Sequence, residues 1–216
     1  MLRTADIILT HGTNSIQVQL YGPTYTHAAL FIGGDTQGTP LIAEAVPSAE
    51  AGASGQVRSV PLELSTVYTD GQAISSFRPI ATLTVAGRKA VATAAAKYTS
   101  QNLTYWNPVL DLASPFASAW LWWNAIPKST VRFNQAKARM LGEKDRIDSF
   151  ICSTLVWRSY LDGTQGVIDL SLPNNVTVTT GDLATYADPE FLQAISADFV
   201  FPDTIGLNTR VLFRIF

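Results

Sequence analysis

Apolar and polar positions divide the chain into two regimes. Up to residue 80 the apolar residues come in strand-length runs: 5–10 ("ADIILT") is rich in Ile and Leu, 14–21 ("NSIQVQLY") alternates apolar with polar, and 26–34 ("THAALFIGG") is almost wholly apolar. The alternating segment predicts a half-buried strand, and the unbroken one a central strand. Residues 40–46 ("PLIAEAV") follow the loop "GGDTQG", which has the composition of a hairpin turn, and 55–64 and 72–80 extend the same sheet. Connections this short favour antiparallel pairing.

The period then changes. Residues 85–101 ("VAGRKAVATAAAKYTSQ") are Ala-rich and predict a helix. Residues 102–147 carry Pro108, Pro115 and Pro127 around Trp120, Trp122 and Trp123, and predict an irregular, Trp-rich insertion or lid that ends in a polar helical stretch. A second helix is predicted from Ser149 to Tyr160, stopped at Asp162-Gly163; 179–195 suggest a turn and a short helix, and the closing "TRVLFRIF" a last strand. Strands first and helices after them predict an α+β fold, an antiparallel sheet packed against helices, over a single domain spanning 1–216.

Composition narrows the partners. An apolar fraction of 47% supplies a core, while a net charge of −2 with only 15% charged residues offers no electrostatic footprint for nucleic acid. The apolar segment 116–126 lies between Pro115 and Pro127 and is too short to span a bilayer. The first residues lack the cleavage pattern of a signal peptide. The expectation is a cytoplasmic protein as written, with a non-classical export route if it acts outside. One cysteine excludes an internal disulfide, and two histidines with that cysteine make no convincing zinc set, so neither metal nor cofactor is expected.

That cysteine, Cys152 in "DSFICSTLVW", holds the candidate chemistry. A lone cysteine is more often an inert core thiol. Position argues otherwise here: with Asp148 or Ser149 as N-cap, Cys152 falls in the first turn of its helix, where unpaired N–H groups and the helix dipole favour a thiolate. The same N–H groups suit an oxyanion. A thiol nucleophile also needs a base and a group to orient it. Of the two histidines, His11 lies in a turn after the first strand, whereas His27 heads the apolar run and Glu44 interrupts "PLIAEAV". Pairing these strands about the loop centre, between Asp35 and Thr36, sets His27 directly opposite Glu44 on one sheet face. The plainer readings, a strand-end histidine and a carboxylate facing water, stay open on these residues alone.

The ordered set "ADIILT", "THAALFIGG", "LIAEAV" and "FICSTLVWRSYLDG" resembles the circularly permuted, NlpC-type papain-like cysteine hydrolases, especially the YiiX/YebB-like branch, a group that also includes lecithin:retinol acyltransferase-like proteins. Ala5-Asp6 stands where that family has Gly-Asp before its first strand. Thr26-His27 matches its catalytic histidine, Glu44 its orienting residue, and Cys152-Ser153-Thr154-Leu155-Val156-Trp157 its nucleophile helix. The segment "TTGDLATYADPEFLQAI" is similar to the family's "Pro-Gly-Asp-Leu" region. The likeness covers roughly 5–64 and 148–195. It implies a permuted papain-like fold and a cysteine peptidase or amidase in which Cys152, His27 and Glu44 are catalytic, with Asp6, Tyr25, Trp120 and Trp123 as substrate-binding candidates. Peptidoglycan peptide is the first substrate expected, an amphiphilic acyl substrate for a lipid acyl hydrolase or acyltransferase the second, and a non-catalytic binding module the rival from another class. Delivery as an antibacterial toxin would add an immunity or regulatory protein as partner.

Overall fold

The computed structural model describes residues 2–11, 25, 27–46, 55–65, 73–79, 83–105, 149–150, 152–170 and 212–215. Within these, the first apolar run forms β1 (Ile7–His11), whose Ile7 and Leu9 enter one core while Ile8 enters another. The unbroken run forms β2 (His27–Gly34), and Leu30 and Ala29 again divide between the same two cores. Burial on both faces is why this strand contains so little polar residue.

β3 (Pro40–Val46), β4 (Gly55–Pro61) and β5 (Ala73–Pro79) follow the sequence expectation closely. The fourth strand stops at Pro61, and Leu62–Leu64 make one 3-10 turn instead of continuing it. Short strands β6 (Thr104–Tyr105), β7 (Ser149–Phe150) and β8 (Leu212–Arg214) complete the sheet, in the order β7-β6-β4-β3-β2-β1-β5-β8. Every described pairing is antiparallel except β6 with β7. The fold is thus α+β with a mostly antiparallel sheet, as expected.

Two helices are described. α1 (Val85–Thr99) starts at Thr84, whose side chain accepts from Gly87 N at 3.0 Å, satisfying one of the open N–H groups of the first turn. α2 (Cys152–Gly163) packs against α1 and β2 and buries Cys152, Leu155, Val156, Ser159 and Tyr160. Its far end touches α1 closely: a Cβ on Gly163 would lie 2.6 Å from Val91 N and closer still to Val91 Cα. Only a residue without a side chain permits that approach.

Two expectations need correction. The helix does not begin at Ser149. Ser149 and Phe150 pair in parallel with Thr104 and Tyr105, so these two residues belong to the sheet, and the described helix runs Cys152–Gly163. Sheet pairing satisfies the Ser149–Phe150 backbone in a way a free helix end cannot. Asp148, the other proposed cap, lies outside the described residues. The second correction concerns register. Glu44 is opposite Ala29, not His27. The turn is Asp35–Thr39, where the Asp35 carboxylate accepts from Gln37 N and Thr39 N, each at 2.8 Å, so its centre lies further along the chain than the loop composition suggested. A bulge between Phe31 and Gly33, whose φ is 106°, then takes back one residue. The net displacement is an even number of residues, and His27 and Glu44 keep the same face.

The predicted strand 14–21, the Trp-rich segment with Trp120 and Trp123, and the turn and helix at 179–195 lie outside the described residues; Thr104 and Tyr105, at the head of the proposed insertion, belong to the sheet. Among the described residues no helix is long and apolar enough to cross a membrane.

Candidate active site

Three elements bring the candidate residues together: the start of α2 carries Cys152, the first residue of β2 is His27, and β3 carries Glu44. Diagonal contact across β2 and β3 sets His27 Nε2 3.5 Å from Glu44 Oε2. The ring also meets the sulfur, through a side-chain hydrogen bond between His27 and Cys152. Cys152 is buried, and the His27 side chain keeps 17% of its surface exposed.

Electrostatics favours a thiolate–imidazolium pair. Burial opposes charge on Cys152, yet the facing His27 charge and hydrogen bond, with the Ala28 and Ser153 backbone N–H groups, bring the thiol below its ordinary value of 9.0. Burial likewise pushes His27 down, and the Cys152 charge and hydrogen bond, joined by Glu44, outweigh it and raise the imidazole above its ordinary 6.5. Each partner holds the other charged. Chemically, a pair of this kind can present a deprotonated thiol beside a protonated imidazole.

Glu44 is wholly buried, and each of its oxygens is occupied. Oε1 accepts from Arg58 Nε at 3.0 Å and from Arg58 Nη2 at 2.7 Å; Oε2 accepts from Ser65 Oγ at 2.7 Å and faces His27. Burial would raise this carboxyl, but the bonds from His27, Ser65 and Arg58 and the His27 charge bring it down to about 2. It is therefore a fixed negative charge at any pH near neutral.

Arg58 and Ser65 escaped the sequence reading. A signal for Arg58 existed: a buried glutamate requires a counter-ion, and the third and fourth strands form an antiparallel pair in which Arg58 stands directly opposite Glu44. Ser65 carried no local signal, because it reaches Glu44 only from beyond the 3-10 turn that follows the fourth strand. Tyr105 is a third omission. Burial and then the Cys152 charge raise its phenol, which keeps it a neutral neighbour of the sulfur.

Of the remaining candidates, Asp6 and Tyr25 fall among the described residues. Asp6 is fully buried, and its carboxylate accepts from Arg78 Nε at 2.8 Å, Arg78 Nη2 at 2.6 Å and Arg3 N at 2.7 Å. This ion pair ties the head of β1 to β5. Tyr25 is a core residue that meets Phe77 edge-on, with ring centroids 5.8 Å apart. His11 ends β1, its backbone paired with Ala73. No group of three or more His, Cys, Asp or Glu side chains that could hold a metal ion occurs among the described residues.

No family model matches the sequence. No curated protein matches it either. Solved structures do: the crystal structure of the metalloprotein yiiX from Escherichia coli O157:H7 aligns with a TM-score of 0.54, covering 99% of this chain and 96% of that one at 15% sequence identity. At that identity the likeness is one of fold, and it extends over nearly the whole of both chains. The chain has a yiiX-like α+β fold in which the start of a helix, the head of one strand and the middle of the next bring a cysteine, a histidine and a glutamate together.

Proposed function

We propose that the chain is a cysteine hydrolase that cleaves an amide through a thioester, with the peptide of peptidoglycan as substrate. The observation that carries this reading is geometric: His27 Nε2 lies 3.5 Å from the fully buried Glu44 carboxylate, and the ring meets the buried Cys152 at the start of α2, where each of the pair favours charge on the other. The yiiX-like fold is compatible with it. In the reaction, Cys152 Sγ attacks the carbonyl carbon, and the C=O electron pair moves to oxygen. The Cys152 backbone N–H at the helix start is the proposed donor to that oxyanion. His27 then gives its proton to the amine nitrogen, the C–N bond breaks and a thioester remains. Water attacks the thioester while His27 takes its proton, and the C–S bond breaks to return the thiolate beside the imidazolium. Glu44 orients the ring throughout.

Mass spectrometry after incubation with muropeptides, and in parallel with phospholipids, tests the proposal. New amide cleavage products from muropeptides, lost in both Cys152→Ala and His27→Ala, are expected. Turnover of phospholipid alone would reassign the same site to lipid acyl chemistry. Biological activity that survives Cys152→Ala would replace the enzyme with a binding module.

A further inference from the structure

The pair of bonds from Arg58 to Glu44 has a consequence for the reaction cycle. At rest, Cys152, His27, Glu44 and Arg58 form a row of alternating charges that sums to zero. Once the thiol is acylated and His27 has given its proton to the leaving group, two of those charges vanish together. What remains is Glu44, wholly buried, and Arg58 bonded to it with 28% of its side chain exposed. Without the guanidinium, the neutral imidazole would stand beside an uncompensated buried carboxylate, and the cheapest remedy would be for His27 to keep a proton. A base that is already protonated cannot accept the proton of the attacking water.

We propose that Arg58 is a positioning residue that neutralises Glu44 throughout the cycle and thereby lets His27 release and regain its proton. Its role in turnover rests on the hydrolase reading; its effect on the imidazole does not. Among the described residues, the charged and titratable groups involved are these. His27 faces Cys152 from α2 and Glu44 from β3; Glu44 faces His27 and, from β4, Arg58; Tyr105 of β6 faces Cys152. Fork geometry matters as well as charge. Nε and Nη2 converge on one carboxylate oxygen, which leaves Oε2 for Ser65 and the imidazole. Arg58 thus fixes both the charge of Glu44 and which oxygen the histidine meets.

The chain has only two histidines, so the ring of His27 can be followed by NMR through a pH titration. The Cys152→Ala background removes the thiolate and leaves His27 beside Glu44 and Arg58, as in the acylated state. In this background Arg58→Gln is expected to raise the His27 midpoint by about one pH unit, and Arg58→Lys to bring most of that shift back. An unchanged midpoint with a lowered melting temperature would reduce Arg58 to a structural clamp and overturn the proposal. If Arg58→Gln does not fold, Glu44→Gln and Glu44→Gln/Arg58→Gln carry the test. With the carboxylate gone, retaining Arg58 should depress the His27 midpoint relative to the double variant, and equal midpoints would overturn the idea. With Cys152 present, 4-nitrophenyl acetate separates the two readings. Arg58→Gln should keep the burst of nitrophenol and lose roughly tenfold in the steady rate, the counterpart of one pH unit. A wild-type chain that shows no turnover of the ester would count against the hydrolase, while the titration would still judge Arg58.

Discussion

His27 and Glu44 meet diagonally: Nε2 stands 3.5 Å from Oε2, although Ala29 is the residue paired with Glu44. The diagonal leaves the direct cross-strand position on the other side of Glu44 to Arg58. A carboxylate flanked by two cations and a serine hydroxyl stays ionised in a fully buried position, and through His27 it supports the charge on Cys152.

Cys152 should react as a thiolate well below the range of an ordinary thiol. Iodoacetamide at pH of about 6 is expected to label it several-fold faster than a free cysteine, because the larger thiolate fraction outweighs the lower intrinsic nucleophilicity of a low-pKa sulfur. His27→Ala should abolish the excess. Labelling at the free-thiol rate, measured by intact mass, would sink the nucleophile assignment.

Acid should destabilise the fold through Glu44. Its folded-state pKa is depressed, so its contribution is present above its ordinary value of 4.5 and is lost as the pH falls through about 2. The shift corresponds to roughly 3 kcal/mol. Chemical denaturation across this window should show stability falling, with a shallower fall in Glu44→Gln. An equally steep fall in that variant would place the acid sensitivity elsewhere.

Gly163→Ala should separate the two helices. The new methyl would collide with the Val91 backbone, which no change of rotamer can relieve. A loss of about 3 kcal/mol is expected, read as a drop in melting temperature. An unchanged melting temperature would mean that α1 and α2 pack less closely than described.

Ala5 occupies the position of the glycine in the resembled Gly-Asp motif, and its φ is 70°. That left-handed conformation costs an alanine about 1 kcal/mol, whereas the buried methyl contributes about 0.8 kcal/mol. Ala5→Gly should therefore lie within about 1 kcal/mol of the parent. Ala5→Val should be clearly destabilising, since a β-branched residue is a genuine outlier at positive φ. Equal stability of the glycine and valine variants in urea would refute this account.

Much of the architecture could be read from the sequence because it depends on local pattern. The unbroken apolar run around Leu30 called for a central strand, and the Ala-rich stretch around Val91 called for a helix; both form where expected. The shared face of His27 and Glu44 was legible for the same reason, since side-chain parity along paired strands survives an even error in register. The register itself depended on how the Asp35 carboxylate closes its turn and on a bulge at Gly33, neither of which hydrophobic periodicity encodes. The start of α2 depended on whether Ser149 and Phe150 found a strand to pair with, and that strand, Thr104–Tyr105, is remote in sequence. The partners of the buried charges were likewise set by tertiary pairing: Arg78, remote in sequence, for Asp6, and Arg58 on the neighbouring strand with Ser65 beyond it for Glu44. Sequence alone singled out Cys152, His27 and Glu44 as candidates for a nucleophile, a base and an orienting carboxylate. Only the tertiary structure decided which charges face one another, because a buried charge takes its partner from whatever chain the fold brings within hydrogen-bonding distance.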